Sequence, residues 1–366
     1  MKTLLHLSKY YYPVLGGIEN TAKQLVDGLS EYENVVICFS SDSNNYTDTI
    51  DNVKIYRVAV QYSLASQDIA FGYGKIVRDV IDKYRPDYIH VHCPNPFIYP
   101  YILRYAPSTT KILLHWHSDI LGKGFLYSVI KPLETRLLKR ANCILATSPN
   151  YAENSEAIAP YRSKIKVLQS AIRSHHLELT PDVENRMKDI KRNYLGKKII
   201  FIFGRHVPYK GIDLLIASEK YIKSDVVVLI GGSGPITAKL KELAKGRDRI
   251  HFLGRLSDED LTAHLWAADV LGFASNTKAE AFGLALAEGM FCKCVPITFA
   301  IPGSGVNWVS LKDETGLEVE LGNVEKYAES IDKVLSDDNL RSTLSEAARQ
   351  RVLQMFTVEK MIAKAK

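Results

Sequence analysis

Two cationic side chains stand five residues apart in Gly204-Arg205-His206-Val207-Pro208-Tyr209-Lys210-Gly211-Ile212-Asp213, where an apolar run gives way to a turn. On a loop between a strand and a helix, Arg205 and Lys210 can converge on a diphosphate, with the partial positive charge of the helix N-terminus behind them. Two solvated loop cations are the alternative that this spacing leaves open. A pair of acids, Glu280 and Glu288, frames Ala281-Phe282-Gly283-Leu284-Ala285-Leu286-Ala287. A helix beginning near Phe282 would put Glu280 at its mouth and Glu288 about two turns along, so that the acids serve different parts of one ligand. The backbone N–H groups of Phe282, Gly283 and Leu284 would face phosphate oxygens. Glu288, on an otherwise apolar helix, would need a partner such as a ribose diol. A plainly capped helix fits the same residues.

Other residues invite chemistry less sharply. Gly16 and Gly17 in Tyr12-Pro13-Val14-Leu15-Gly16-Gly17-Ile18-Glu19-Asn20 precede a helical stretch, Thr21 to Leu29. There the backbone could approach an anion or a sugar oxygen, or simply turn tightly. His90 and His92 end one apolar run and His115 and His117 another, each pair on one face by the period of two. Ligands of open parallel sheets bind beyond the carboxyl ends of the strands, and His117, followed by Ser118 and Asp119, is the expected cleft residue. For any one of the four, a satisfied structural histidine is the competing reading. A zinc site would need a carboxylate or third ligand in defined geometry, and no metal is expected.

Gly231-Gly232-Ser233-Gly234-Pro235 resembles half of a dinucleotide fingerprint, but Thr237 stands where the third glycine belongs. A phosphate-facing or structural turn is expected instead. Asp258-Glu259-Asp260 follows Ser257 and reads as a capped first helical turn rather than a metal-binding acid pair. Phe125 to Arg140 mixes apolar residues with Lys131, Arg136, Lys139 and Arg140. It could lie on a membrane surface, although core packing is favoured, with Pro132 in a first turn.

The elements that must position these residues follow a rhythm of short apolar strand, Gly/Pro/Ser turn and longer amphipathic stretch, the pattern of βαβ units and parallel sheets. Strands are expected at Thr3–Leu7, Val35–Phe39, Lys54–Val58, Tyr88–His92, Lys111–Trp116, Cys143–Thr147 and Lys166–Leu168. A second series falls at Lys198–Phe203, Val226–Ile230, Ile250–Leu253, Val270–Phe273 and Val295–Thr298. Between the series, Ser174–Lys197 is polar and contains Pro181, with a surface helix over Val183–Tyr194. This gives an N-terminal domain 1–175, a linker 176–197, a C-terminal domain 198–350 and a terminal helix 351–366 that could cross back to the first domain.

A chain of 366 residues, 46% hydrophobic, exceeds one ordinary core and can build two. Its net charge of +6 comes from 47 bases scattered among 41 acids, which excludes a polybasic nucleic-acid arm. Met1 to Tyr12 lacks a signal-peptide core, and no run reaches the roughly 18 to 20 apolar residues that span a bilayer. Cys38, Cys93, Cys143, Cys292 and Cys294 are odd in number and irregular, which fits a reducing compartment. A cytoplasmic protein is expected, with contact to the inner membrane face left open.

The four motifs together resemble those of the family 4 retaining glycosyltransferases of the GT-B fold, along nearly the whole chain. The family's Pro-x-x-Gly-Gly loop corresponds to Pro13–Gly17, its strand-end histidine to His117, its Gly-Arg-x-x-x-x-Lys-Gly loop to Gly204–Gly211 and its Glu-x7-Glu motif to Glu280 and Glu288. The resemblance implies two facing Rossmann-like domains with a cleft between them. It implies that Arg205 and Lys210 bind the donor diphosphate, Glu280 the donor sugar and Glu288 the ribose. Gly16 and Gly17 would border the donor phosphates and the acceptor, and His117 would position the sugar or the acceptor. No cofactor or metal is implied, since cations and helix dipoles carry the phosphate charge. The partners would be a nucleotide-sugar donor and a glycan or lipid-linked saccharide acceptor. Two departures stand out: Gln169-Ser170-Ala171-Ile172 replaces a Pro-Asn-Gly type segment, and Lys293 replaces a glycine. The setting of His115–Ile120 and Ser148–Tyr151 is similar to that of bacterial polysaccharide mannosyltransferases, which favours GDP-mannose with UDP-hexoses close behind. An epimerase or phosphorylase of the same architecture, or a silent sugar-nucleotide-binding protein, are the rival readings.

Overall fold

The computed structural model describes residues 1–14, 16–64, 67–120 and 124–366, with the backbone alone at Leu64 and Leu126. The chain divides into two compact units, Met1–Gln169 with Ile362–Lys366, and Ser170–Met361.

In the first unit the strands are β1 (Thr3–Leu7), β2 (Glu33–Ser40), β3 (Tyr46–Ile50), β4 (Val53–Ala59), β5 (Tyr62–Leu64), β6 (Gln67–Ile69), β7 (Tyr88–Cys93), β8 (Lys111–Trp116), β9 (Cys143–Ala146) and β10 (Ile165–Val167). Eight of them form one sheet in the order β10-β9-β8-β7-β1-β2-β4-β3, parallel except for the β3–β4 pair, while β5 and β6 pair as a small hairpin. The central strands are buried except at the first residues of β2 and β7, Glu33 and Tyr88, as a sheet covered on both faces requires, so they read as nearly continuous apolar runs. The edge strand β3, Tyr-Thr-Asp-Thr-Ile, is polar and half exposed, and the sequence pattern passed over it together with the hairpin.

The second unit holds β11 (Lys198–Phe203), β12 (Val226–Gly231), β13 (Ile250–Gly254), β14 (Val270–Phe273), β15 (Val295–Phe299) and β16 (Leu317–Val319), all parallel, in the order β13-β12-β11-β14-β15-β16. That is the doubly wound Rossmann order, whose direction of winding reverses between its first and fourth strands, here β11 and β14. The crevice outside that reversal is where such sheets bind ligands, and the loops following β11 and β14 carry the Arg205/Lys210 and Glu280 motifs. Every strand predicted in either half is present, with ends shifted by at most two residues.

Several local expectations need correction. The first helix spans Gly17–Gly28, beginning a turn earlier than Thr21, because Gly16 in extended conformation serves as its N-cap. Pro132 sits inside the helix Gly124–Arg140 rather than in its first turn. Of that helix, Phe125 and Val129 are exposed while Leu137 and Leu138 are buried, so only its C-terminal half packs on the core. Leu126, which was read as part of its apolar face, lies outside the described side chains, as does Leu15 of the glycine loop. The stretch expected to link the domains belongs to the second unit. Its helix Pro181–Asn193, capped by Thr180, packs along the helix Asp258–Ala267, with Met187 and Ile190 against the core. The unit starts at Ser170, and Ile172 is fastened by its N–H to the Phe356 carbonyl at 2.9 Å. No helix among the described residues is long and apolar enough to cross a membrane.

Candidate functional site

In the second unit, β11 ends at Phe203 and the chain turns through Gly204 at φ +134° to present Arg205, before a 3₁₀ turn, Pro208–Lys210, aims Lys210 back toward the sheet. Gly211 at φ +62° starts the next helix, and a Cβ there would stand 1.9 Å from the Ala274 carbonyl oxygen, so glycine alone fits. The Gly231–Pro235 loop supports this turn from behind. The His206 N–H donates to the Ser233 carbonyl at 3.0 Å, and a Cβ on Gly232 would lie 2.0 Å from the Gly204 oxygen. Those glycines are therefore structural: they let two backbones touch beneath the cationic loop, which explains their likeness to half a dinucleotide motif.

After β14 the chain runs through Ser275 to Glu280. Lys210 Nζ lies 2.5 Å from Glu280 Oε2, and Ser275 Oγ donates to the same oxygen at 3.1 Å. Both charged side chains are largely buried. Burial by itself would lower the Lys210 pKa, but the Glu280 carboxylate, with Tyr209 and Glu288, more than offsets it and the net shift is upward. Lys210 is thus a permanent cation. Ser304 Oγ donates to the Glu280 carbonyl, and the Gly305 N–H to that of Ala281 at 3.0 Å, so the strand-to-helix turn is held from both sides.

The helix after this turn is Leu284–Phe291, with Gly283 at φ +91° as N-cap. Phe282 is buried against Trp308 and Phe356. Among the described residues, the N–H groups of Phe282, Gly283 and Leu284 donate to no protein acceptor, and they form an open set of donors at the helix mouth. Glu288 lies a little over one turn from the helix start. Burial raises its pKa to about 7, against the opposing fields of Lys210 and Arg173. Its carboxylate makes no hydrogen bond or ion pair among the described residues. Arg205 is exposed and likewise makes neither. The structure therefore joins Lys210 directly to Glu280 and brings Glu288 within their field, while Arg205 waits on the same loop. Ser257 Oγ accepts from the Asp260 N–H at 3.1 Å, so Asp258–Asp260 form a capped turn as read from the sequence.

In the first unit, Gly16 and Gly17 follow β1. A Cβ on Gly16 would fall 2.2 Å from a Glu19 carboxylate oxygen, so the glycine lets Glu19 fold against the helix entrance. The buried Arg57 of β4 donates to the Tyr12 carbonyl at 2.5 Å and pairs with Asp48 at 3.3 Å, tying the glycine loop to the sheet. His117 follows β8, its Nε2 3.0 Å from His92 Nδ1. His90, His92 and His115 are all buried with it, and His6 of β1, which sequence reading missed, completes a cluster of five. Register explains the cluster: His6 pairs with His90 and His92 with His115, and register partners in a parallel sheet share a face. Burial, first of all, depresses the pKa of every member, to about 4 for His6 and His115. The nitrogens of His92, His115 and His117 fall within 4.8 Å of one another. The same holds for His6, His90 and His92, and the His115 and His117 rings stack at 4.1 Å with planes 24° apart. Arg57, His6, Ser275, Ser304 and Arg173 carried no sequence signal beyond their own types; only the strand register could have flagged His6.

Two Rossmann-type units, with a cationic loop and an acid-bearing helix at the switch point of the second, define the GT-B class of nucleotide-dependent transferases. Sucrose-phosphate synthase from Thermosynechococcus elongatus superposes on the chain with a TM-score of 0.81 at 20% identity, covering all of this chain and 97% of that one. HepE of Anabaena, solved in complex with UDP, gives 0.79 at 17% identity, covering 99% and 98%. Residues 15–174 match the family model for Glycosyltransferase Family 4, and residues 183–351 that for Glycosyl transferases group 1. The chain belongs to the family 4 glycosyltransferases. O-antigen chain mannosyltransferase C of Escherichia coli is 27% identical over 367 residues, covering 98% of this chain and 95% of the relative. D-rhamnosyltransferase WbpZ of Pseudomonas aeruginosa is 28% identical over 363 residues, covering 98% and 92%.

Proposed function

We propose that this glycosyltransferase is a retaining hexosyltransferase that moves a sugar, mannose as first choice, from a nucleoside diphosphate donor to a glycan or lipid-linked saccharide in surface polysaccharide synthesis. The observation that carries the reading is the meeting of Lys210 and Glu280 beside the open N–H groups of Phe282, Gly283 and Leu284. An apolar cofactor would have no use for that arrangement, whereas a diphosphate with a sugar attached uses every part of it. The names of the two relatives, a mannosyl- and a rhamnosyltransferase, support a hexose and a polysaccharide acceptor. GDP is the preferred nucleotide and UDP the second.

The diphosphate takes Lys210 from Glu280 and recruits Arg205, and Glu280 turns to a hydroxyl of the donor sugar. Glu288 accepts from the ribose diol. The acceptor hydroxyl oxygen bonds to the anomeric carbon on the face from which the β-phosphate oxygen departs. The acceptor's proton passes to that phosphate oxygen, so the products are a nucleoside diphosphate and a glycoside of unchanged anomeric configuration. His117 positions the sugar or the acceptor, and Gly16 and Gly17 border the phosphates. Two cations and a helix N-terminus neutralise the leaving group, so no divalent ion and no cofactor is required. The protein works in the cytoplasm, with a peripheral membrane contact through the N-terminal half of the helix Gly124–Arg140, where Phe125 and Val129 are exposed.

A thermal-shift screen of nucleoside diphosphates and their sugars should single out GDP compounds by mass action. Free nucleoside diphosphate should then appear only when acceptor is supplied, in EDTA as well as without it. Release with no acceptor, or epimerised donor, would favour the rival epimerase or phosphorylase reading. Arg205→Ala and Lys210→Ala should each lower turnover by about 10²–10³-fold. Normal transfer by both would end the diphosphate assignment.

A further inference from the structure

Beneath His117 lies a partner with no assigned role. His92 Nδ1 and His117 Nε2 are 3.0 Å apart, with ring planes only 10° from parallel and centroids 5.3 Å apart, the signature of an in-plane hydrogen bond between two imidazoles. The rings cannot swing easily. His90 stacks on His92 at 4.6 Å, and His115 stacks on His117 at 4.1 Å. Both members are neutral, since burial among other imidazoles disfavours a positive charge. A neutral imidazole carries one N–H and one lone pair, so one ring donates and the other accepts.

The rest of the His92 ring decides which. His92 Nε2 is buried and has no protein partner. If His92 accepted at Nδ1, its only N–H would sit at Nε2 with nothing to receive it, the costlier defect in a protein interior. If His92 donates from Nδ1, Nε2 is left as a bare lone pair, which buried sites tolerate better. We infer that His92 is a positioning residue that donates its Nδ1–H to His117 Nε2, thereby fixing His117 as the Nδ1–H tautomer and making it a hydrogen-bond donor to the substrate.

His117 then has no lone pair to offer at the nitrogen left for a ligand. It cannot serve as a general base through Nδ1; it steadies an oxygen, either a hydroxyl of the sugar or of the acceptor. This matches its place, since His117 is 7% exposed while the other four histidines are 0–2% exposed. It also assigns a purpose to a buried His92 that packing alone would not need. The inference rests on the proposed role of His117 in transfer, but the tautomer can be read without any activity.

Selective ¹⁵N-histidine labelling of the full chain, with one-residue substitutions for assignment, should find the His117 proton on Nδ1 and that of His92 on Nδ1. In His92→Leu the His117 tautomers should mix, and kcat should fall about tenfold, the scale of one lost hydrogen bond. Donor KM should change little. His92→Asn places an amide N–H close to where Nδ1 stood and should restore most of kcat. A His117 proton on Nε2 in the unsubstituted protein overturns the inference. So does wild-type kcat in a folded His92→Leu, or a stoichiometric transition metal that is lost in that variant. Normal transfer by Arg205→Ala and Lys210→Ala would instead defeat the functional reading while leaving the tautomer in place.

Discussion

Near neutrality the Glu288 carboxyl is divided between acid and carboxylate, because burial lifts its pKa from 4.5 to about 7. The folded state therefore holds that proton more tightly than the unfolded chain does. Stability from this group is complete below about pH 4.5 and is lost as pH rises through 7. Glu288→Gln should accordingly raise Tm at about pH 8 and leave it unchanged near pH 4, as calorimetry can check. The same variant should bind nucleoside diphosphate more weakly at the higher pH, since a ribose diol donates better to a carboxylate than to an amide. An unaltered Tm at both pH values would mean that the carboxylate suffers no penalty in the fold. Glu288, Glu280, Arg205 and Lys210 were legible in the sequence as candidates because their spacing around glycines carries a chemical sense. Ser275 and Arg173 were not: a lone serine and a lone arginine acquire meaning only from what lies opposite.

Elements concentrate effects that single residues dilute. The five histidines, four on one face of β1, β7 and β8 and His117 just beyond β8, form a layer that resists protonation. His6 and His115 have folded pKa values of about 4 against 6.5 in the unfolded chain. For such depressed values stability is complete above pH 6.5 and falls as pH drops toward 4, each proton adding a slope of about 1.4 kcal/mol per pH unit. Acid unfolding of the first unit should thus be steep in that window. His115→Phe should remove about one proton from the slope; an unchanged slope would show that His115 titrates normally. A second case lies at the end of the helix Leu284–Phe291, where Lys293 has φ +65° at a place occupied by glycine in the resembled family. A left-handed conformation costs an ordinary residue about 1–2 kcal/mol, and glycine gives back about 0.5–1 through unfolded-state entropy. Lys293→Gly should therefore stabilise the protein by roughly 0.5–1 kcal/mol, since the ion pair it loses to Glu346 is about half exposed and contributes little. Denaturant titration would test it, with a lower midpoint as the contrary result. The strand pattern was readable because buried parallel strands are apolar throughout. Polar β3 and three-residue β16 were hidden, because their pairing supplies what their composition lacks.

At the scale of the whole chain, residues 362–366 belong to the first unit although 192 residues of the second precede them (170–361). Ile362 packs so closely on Gly28 that a Cβ there would fall 2.3 Å from it, and Lys366 pairs with Glu31 at 3.2 Å. A chain ending at Met361 should lose stability in the first unit alone. Calorimetry should resolve two transitions, since two compact units need not melt together. Nucleoside diphosphate at about 100 Kd should add about 2.7 kcal/mol to the second unit's transition in both forms. Loss of nucleotide binding on truncation would contradict the division.

The sequence by itself determined the α/β class, the two series of strands, the family resemblance and the motifs proposed to hold the donor, because each is written in periodicity or in spacing along a continuous segment. Tertiary structure alone decided that Lys210 is latched to Glu280, that the half-fingerprint glycines brace the cationic loop, that the supposed linker packs into the second unit, and that His6 joins four other histidines. Those facts depend on strand order and register, which bring together residues 70 positions apart in the case of Lys210 and Glu280. Local sequence specifies an element, but the approach of two distant segments is set by how whole sheets bury their faces.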